Sequence, residues 1–215
     1  VLRVLGGVTV VALAAGLVMG FGVAPREVTQ GNVQRIMYLH VPSVWVAYLA
    51  FAVVLVASIV YLIRRLETAD RLAHASAEVG VLFTGLTIAS GSIWGKPTWG
   101  TWWTWDARLT SVSILFVMYL GYLLLRGMIE DHEQGARYAA VLGIIAAFNI
   151  PLVHFSVYWW RTLHQPPSLM KPGPGTMPGV IVAALLVNFA AFTLLYVYFV
   201  TKRVELLRRE AEAAA

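Results

Sequence analysis

The chain of 215 residues contains no cysteine, and Asp, Glu, Lys and Arg make up only 13% of it. Without cysteine there is no disulfide framework and no thiolate metal site. A soluble domain carries about 25% charged residues, so half that share cannot clothe a globular surface in water. At 59% hydrophobic residues and a mean hydropathy of +0.73, a soluble monomer and a disordered chain are both excluded. What fits is a single integral-membrane domain over residues 1–215. The net charge of +5 and pI near 9.7 do not imply nucleic acid, since no basic run is long enough for a binding arm. Membrane proteins gather Lys and Arg in cytoplasmic loops. The sequence also lacks an internal repeat, and low complexity is confined to its charged, Ala-rich C-terminal end.

About 20 apolar residues in a helix cross a hydrocarbon core of roughly 30 Å. Six stretches meet this: Val4–Val23, Val41–Ile63, Ala75–Ile93, Leu109–Leu125, Tyr138–Val157 and Gly179–Val200. The expected fold is all-α and polytopic, with six transmembrane helices. The first stretch is longer than a signal-peptide core and reads as retained. With both termini cytoplasmic, the inner segments hold ten Lys and Arg and the outer segments six, the sense of the positive-inside rule.

Acidic residues are distributed more unevenly. Nine are inner and only Glu27 and Asp106 are outer, so the net charge is +1 inside and +4 outside. A positive outer face attracts an anionic ligand. The inner connections, around Arg64–His74 and Arg126–Arg137, look like plain tethers, with His74 and His132 solvated. The outer segments 24–40, 94–108 and 158–178 are longer and rich in Trp, Gly, Pro and His, which places function there.

Tryptophan is the second peculiarity. Five of the eight lie in Trp94-Gly-Lys-Pro-Thr-Trp99-Gly-Thr-Trp102-Trp103-Thr-Trp105-Asp106-Ala-Arg108-Leu-Thr110. An interfacial aromatic belt would put Trp on both sides of the membrane, yet Trp45, Trp159 and Trp160 also map to the outer half. A shallow helix would align Trp99, Trp102, Trp103 and Asp106 on one face, a platform for a large planar ligand. Gly95 and Gly100 would let that ligand approach the backbone. Asp106 also reads as the N-cap of the fourth span.

Two outer histidines flank this segment. His40 stands in Tyr38-Leu-His40-Val-Pro42, with Pro42 expected in the first turn of the second span. His164 follows the fifth span beside Pro166 and Pro167. Two neutral imidazoles can bind an iron axially. His154, inside the fifth span, reads as structural: Pro151 frees a carbonyl that Asn149, His154 or Ser156 would satisfy. Gly80, Thr84, Thr87 and Gly91 form a small-residue stripe suited to helix packing.

The Trp94–Thr110 stretch resembles the WWD signature of the haem-handling proteins of cytochrome c maturation. Tyr38–Pro42 and His154–Gln165 resemble the flanking histidine segments of the CcmC family, and the likeness runs from about Gly31 to Gln165. Tyr158 stands where that pattern would have a Glu. The resemblance implies a Trp-rich periplasmic loop and a haem site at the periplasmic face of the bacterial inner membrane. It implies non-covalent haem b with His40 and His164 as axial ligands, and a platform of Trp94, Trp99, Trp102, Trp103, Trp105 and Asp106. It also implies delivery to the haem chaperone CcmE, in company with the ABC-transporter proteins CcmA and CcmB and the small membrane protein CcmD. Side and sign suggest Lys96, Arg108 and Arg161 for the haem propionates. The protein would then be an assembly factor that positions haem rather than supplies a reacting side chain. The alternatives are a haem exporter or transmembrane channel component, and a b-type electron-transfer cytochrome.

Overall fold

The computed structural model describes residues 1–166 and 177–214, so Pro167 and Lys171 lie outside the described residues. Helix α1 (Leu2–Leu17) runs on through a π-helical turn, Val18–Val23. A 3₁₀ turn, Asn32–Ile36, leads into α2 (Met37–Arg64). Then follow α3 (Glu67–Trp99), α4 (Ala107–Met128), α5 (His132–Ala147), α6 (Asn149–Trp159) and α7 (Gly179–Ala214). The described residues contain no strand, only an isolated bridge between Glu27 and Gly31. Six helical units are long and apolar enough to cross a membrane, α5 and α6 together forming one of them. The protein is an all-α, multi-pass membrane protein.

The boundaries show which local signals act. Asp106 caps α4, its Oδ1 accepting from the Leu109 N–H at 2.9 Å. Asp131 caps α5 in the same way, accepting from Gln134 at 2.7 Å. Helix α3 exceeds its expected range, Ala75–Ile93, by about two turns at each end. Glu67 and Asp70 in its first turn complement the helix dipole, and the helix stops only where Gly100 takes φ 79, a left-handed C-cap. The fifth span is two helices that meet at Phe148. Pro151 has no N–H for the Ala147 carbonyl, and the helix breaks one residue later. The charged C-terminal end extends α7 to Ala214, as expected.

Helices α2 and α3 form the centre. Phe51 of α2 packs against Gly80 of α3, where a Cβ would collide with its ring. On its other side Phe51 stacks on Tyr119 of α4, with centroids 3.6 Å apart and planes 7° apart. The small-residue stripe thus serves packing, and Thr84 and Thr87 return their hydroxyls to the Gly80 and Phe83 carbonyls. Helix α7 fastens α1 through Asn188, whose Nδ2 donates to the Gly16 carbonyl at 3.0 Å and the Ala184 carbonyl at 2.8 Å.

At the end of the bundle away from the tryptophans, the connections are more than tethers. Arg126 of α4 grips Asp70 of α3 with two bonds of 2.6 Å, and both side chains are buried. Glu78 takes Arg203 of α7 at 2.6 and 3.0 Å, and His74 lies 3.3 Å from it. His74 is therefore a helix residue within an ion-pair network, not solvated. His132 is exposed as expected, 3.9 Å from Asp70.

Candidate ligand-binding site at the tryptophan-rich end

The helix expected along Trp99–Asp106 does not form. Gly100 ends α3 after Trp99, and residues 101–106 are irregular up to the Asp106 cap. Trp94 and Trp99 therefore ride on the last turns of a long helix, while Trp102, Trp103 and Trp105 belong to a loop. Trp102 and Trp105 are 56% and 77% exposed. Trp103 meets Trp105 edge to face at 5.6 Å, and its indole N–H is buried with no hydrogen-bond partner among the described residues. Trp94 donates its indole N–H to Gln30 at 2.8 Å, which draws the segment before α2 into the site. The two glycines differ from expectation as well. Gly95 is buried, and a Cβ there would meet the Trp99 ring and the Thr101 carbonyl, while Gly100 serves the turn itself.

His40 lies inside α2, in its first turn, because the 3₁₀ turn and Met37 start the helix before it. Pro42 consequently sits inside the helix, in its second turn and not its first. The His40 ring is buried. Its Nδ1 is 3.0 Å from Ser90 Oγ of α3, and its ring meets Trp94 edge-on at 5.8 Å. Gly91 makes room for it, since a Cβ there would lie 2.9 Å from His40 Cε1.

His164 stands in the connection after α6. Its Nδ1–H donates to the Gln165 carbonyl at 2.8 Å, and its ring meets Trp99 at 6.0 Å. Burial first, and the Arg108 cation second, depress its pKa to about 4, so the imidazole is neutral at pH 7. His40 meets Trp94, and His164 meets Trp99, on the same last turns of α3. The structure thus brings together histidines separated by 124 positions in sequence.

Asp106 joins the pieces. Beyond capping α4, its Oδ2 accepts from the backbone N–H of Leu163 at 3.1 Å, which ties the His164 connection to the tryptophan loop. Arg108 Nη1 donates to the Val153 and His154 carbonyls at 3.2 and 3.4 Å, bracing α4 against α6. Lys96 is exposed, with Nζ 3.1 Å from the Gly100 carbonyl, and Arg161 is exposed on the connection. His154 is half-buried beside Phe155. The roles expected around Pro151 are distributed differently: Asn149 donates across to the Ser111 carbonyl of α4 at 2.8 Å, and Ser156 to the Val153 carbonyl.

Sequence reasoning missed Gln30, Ser90 and the bond from Asp106 to Leu163. Ser90 stands one turn before Trp94 and next to Gly91 of the small-residue stripe, which was the available signal. The assembly offers two imidazoles with Nδ1 engaged, a rim of indoles and nearby cations, features that suit a planar, anionic, metal-bearing ligand.

The family model described as "CcmC: Heme exporter protein C" matches residues 1–215. A heme exporter protein C of Bradyrhizobium diazoefficiens is 44% identical over 215 residues, 99% of this chain and 81% of that protein. One of Haemophilus influenzae is 40% identical over 206 residues, 95% of this chain and 84% of that protein. A ccmC-like mitochondrial protein of Marchantia polymorpha, described for cytochrome c biosynthesis, is 37% identical over 187 residues, 87% of this chain and 79% of its own length.

Proposed function

The chain belongs to the CcmC, heme exporter protein C, family of cytochrome c biogenesis, and from that premise we propose that it binds non-covalent haem b at the periplasmic face of the bacterial inner membrane and hands it to a periplasmic chaperone of the CcmE kind. The carrying observation is the convergence of His40 and His164 at the tryptophan-rich end, each with Nδ1 occupied and so with Nε2 left for iron.

The residues fit haem on several counts. The depressed pKa keeps His164 neutral and ligating at pH 7. Trp94, Trp99, Trp102, Trp103 and Trp105 supply ring surface, and the unpartnered Trp103 N–H is a donor for an acceptor at the haem edge. Lys96 and Arg161 are exposed cations within reach of solvent, suited to propionates. Arg108 is spent partly on helix carbonyls and contributes mainly field. Asp106 acts through the two backbone groups it holds. Having no cysteine, the chain would grip haem without a thioether bond, which suits release to CcmE. CcmA, CcmB and CcmD are the membrane partners that family membership suggests, with both termini cytoplasmic.

Passage of haem through the bundle is disfavoured by the stacked Phe51 and Tyr119 that fill its centre. An electron-transfer cytochrome is disfavoured because His164 lies beyond the end of α6, outside any span. The test is purification with and without the chaperone. The protein should carry haem that acid–acetone extracts completely, and its deletion should abolish haem-linked chaperone. Undiminished linkage would refute the reading.

A further inference from the structure

We propose that Ser90 and Gly91 are positioning residues for His40, fixing its tautomer and ring plane so that Nε2 carries the lone pair; this rests on His40 being an axial ligand. The argument follows one proton. Ser90 Oγ lies 2.6 Å from the Leu86 carbonyl, which only accepts, so the hydroxyl proton is committed there. The same oxygen lies 3.0 Å from His40 Nδ1 and has no second proton to give. It must therefore accept, and Nδ1 must carry the hydrogen. A neutral imidazole has one N–H, so the lone pair is on Nε2. Helix α3 thus sets which nitrogen of an α2 side chain is basic.

Gly91 supplies the second constraint. A Cβ at this position would lie 2.9 Å from His40 Cε1 and 3.5 Å from Nδ1. The Cε1 edge of the ring lies against α3 where Gly91 has no side chain, with Trp94 edge-on at 5.8 Å. Ser90, Gly91 and Trp94 occupy adjacent positions on one face of α3, so a single helix provides the hydrogen-bond acceptor, the clearance and the aromatic wall. Among the described residues His164 has no comparable device. Its acceptor is the carbonyl of the next residue, inside its own connection. The two imidazoles therefore differ in rigidity, His40 being held by a neighbouring helix and His164 by its own loop.

The test uses the full-length protein in detergent, with and without haem. In the ligand-free protein, ¹⁵N-histidine spectra should show His40 as the Nδ1–H tautomer, and Ser90→Ala should give a mixture. With haem bound, Ser90→Ala should convert part of the low-spin ferric spectrum to high spin and move the reduction potential to more positive values, because an imidazole without its acceptor is a poorer donor to ferric iron. Ser90→Thr, which keeps the hydroxyl, should restore both. Gly91→Ala should lose the low-spin signal, whereas Gly121→Ala, where a Cβ meets nothing within 4 Å, should not. Parent tautomer, spectrum and potential in Ser90→Ala would overturn the proposal. His40→Gly with added imidazole separates this from the ligand assignment. If His40→Gly changes the spectrum and imidazole restores it while Ser90→Ala changes nothing, only the positioning role falls. If His40→Gly leaves the spectrum intact, both fall.

Discussion

The two ends of the bundle are built from opposite materials. One end is closed by charge: Asp70 with Arg126, and Glu78 with Arg203 and His74, bind α3 to α4 and α7. The other carries rings, with two histidines, five tryptophans of one segment, and two carboxylates, Asp106 and Glu27, both spent on backbone N–H groups. At the first end the ionic groups between helices are paired with one another, so these pairs leave nothing over for a ligand. At the second, imidazole Nε2 atoms, an indole N–H and two exposed cations are left over. Buried ion pairs make that first end costly to break; leftover donors and lone pairs make the second receptive.

That contrast can be broken by substitution. The largest effect on stability belongs to Asp70→Asn, which strands the buried Arg126 cation and should cost about 3–5 kcal/mol in a detergent unfolding titration. Bound haem should keep its optical spectrum, and a changed spectrum would show that the ends are not separable. His40→Ala and His164→Ala should do the reverse. Each should weaken haem binding roughly 100-fold, about 2.7 kcal/mol, in a spectrophotometric titration, with far less loss of fold stability than Asp70→Asn. Asp106→Ala removes the α4 cap at a cost of about 1 kcal/mol and frees the His164 connection, so it should lower haem affinity and the low-spin fraction together. Asp106→Asn, which still caps, should largely preserve the fold.

The smallest effect is that of pH. The folded protein holds His164 near pKa 4, below the ordinary 6.5, so the unfolded chain takes up that proton first. The His164 contribution to stability should fall as pH drops from about 6.5 towards 4 and level off below. His164→Gln should flatten that slope in thermal melts, and haem affinity through His164 should hold from pH 8 to about 5.

Much of this was legible in the sequence because it is local. Apolar runs announced all six spans, and Asp106 ahead of Ala107 announced its own cap. The stripe Gly80, Thr84, Thr87 and Gly91 announced helix packing. What stayed hidden depends on distant partners: Arg126 lies 56 residues from Asp70, and Arg203 lies 125 from Glu78. Ser90 lies 50 from His40. The tryptophan segment was misjudged for a different reason. Its spacing suits a helix, but Gly100 adopts φ 79, and one residue in that conformation outweighs the pattern around it. In the sequence the inner connections look like plain tethers, and His74 like a solvated residue, because composition reveals sign and not pairing.

The length of α3 has a consequence of its own. Its 33 residues, at about 1.5 Å each, make a rod of roughly 50 Å, against roughly 30 Å of hydrocarbon. Such a rod must overshoot the lipid. Trp94 and Trp99 sit on its last turns, like a table top on a post, just before Gly100 stops the helix. A ligand bound there, as proposed, would offer its rim to a soluble partner beyond the lipid.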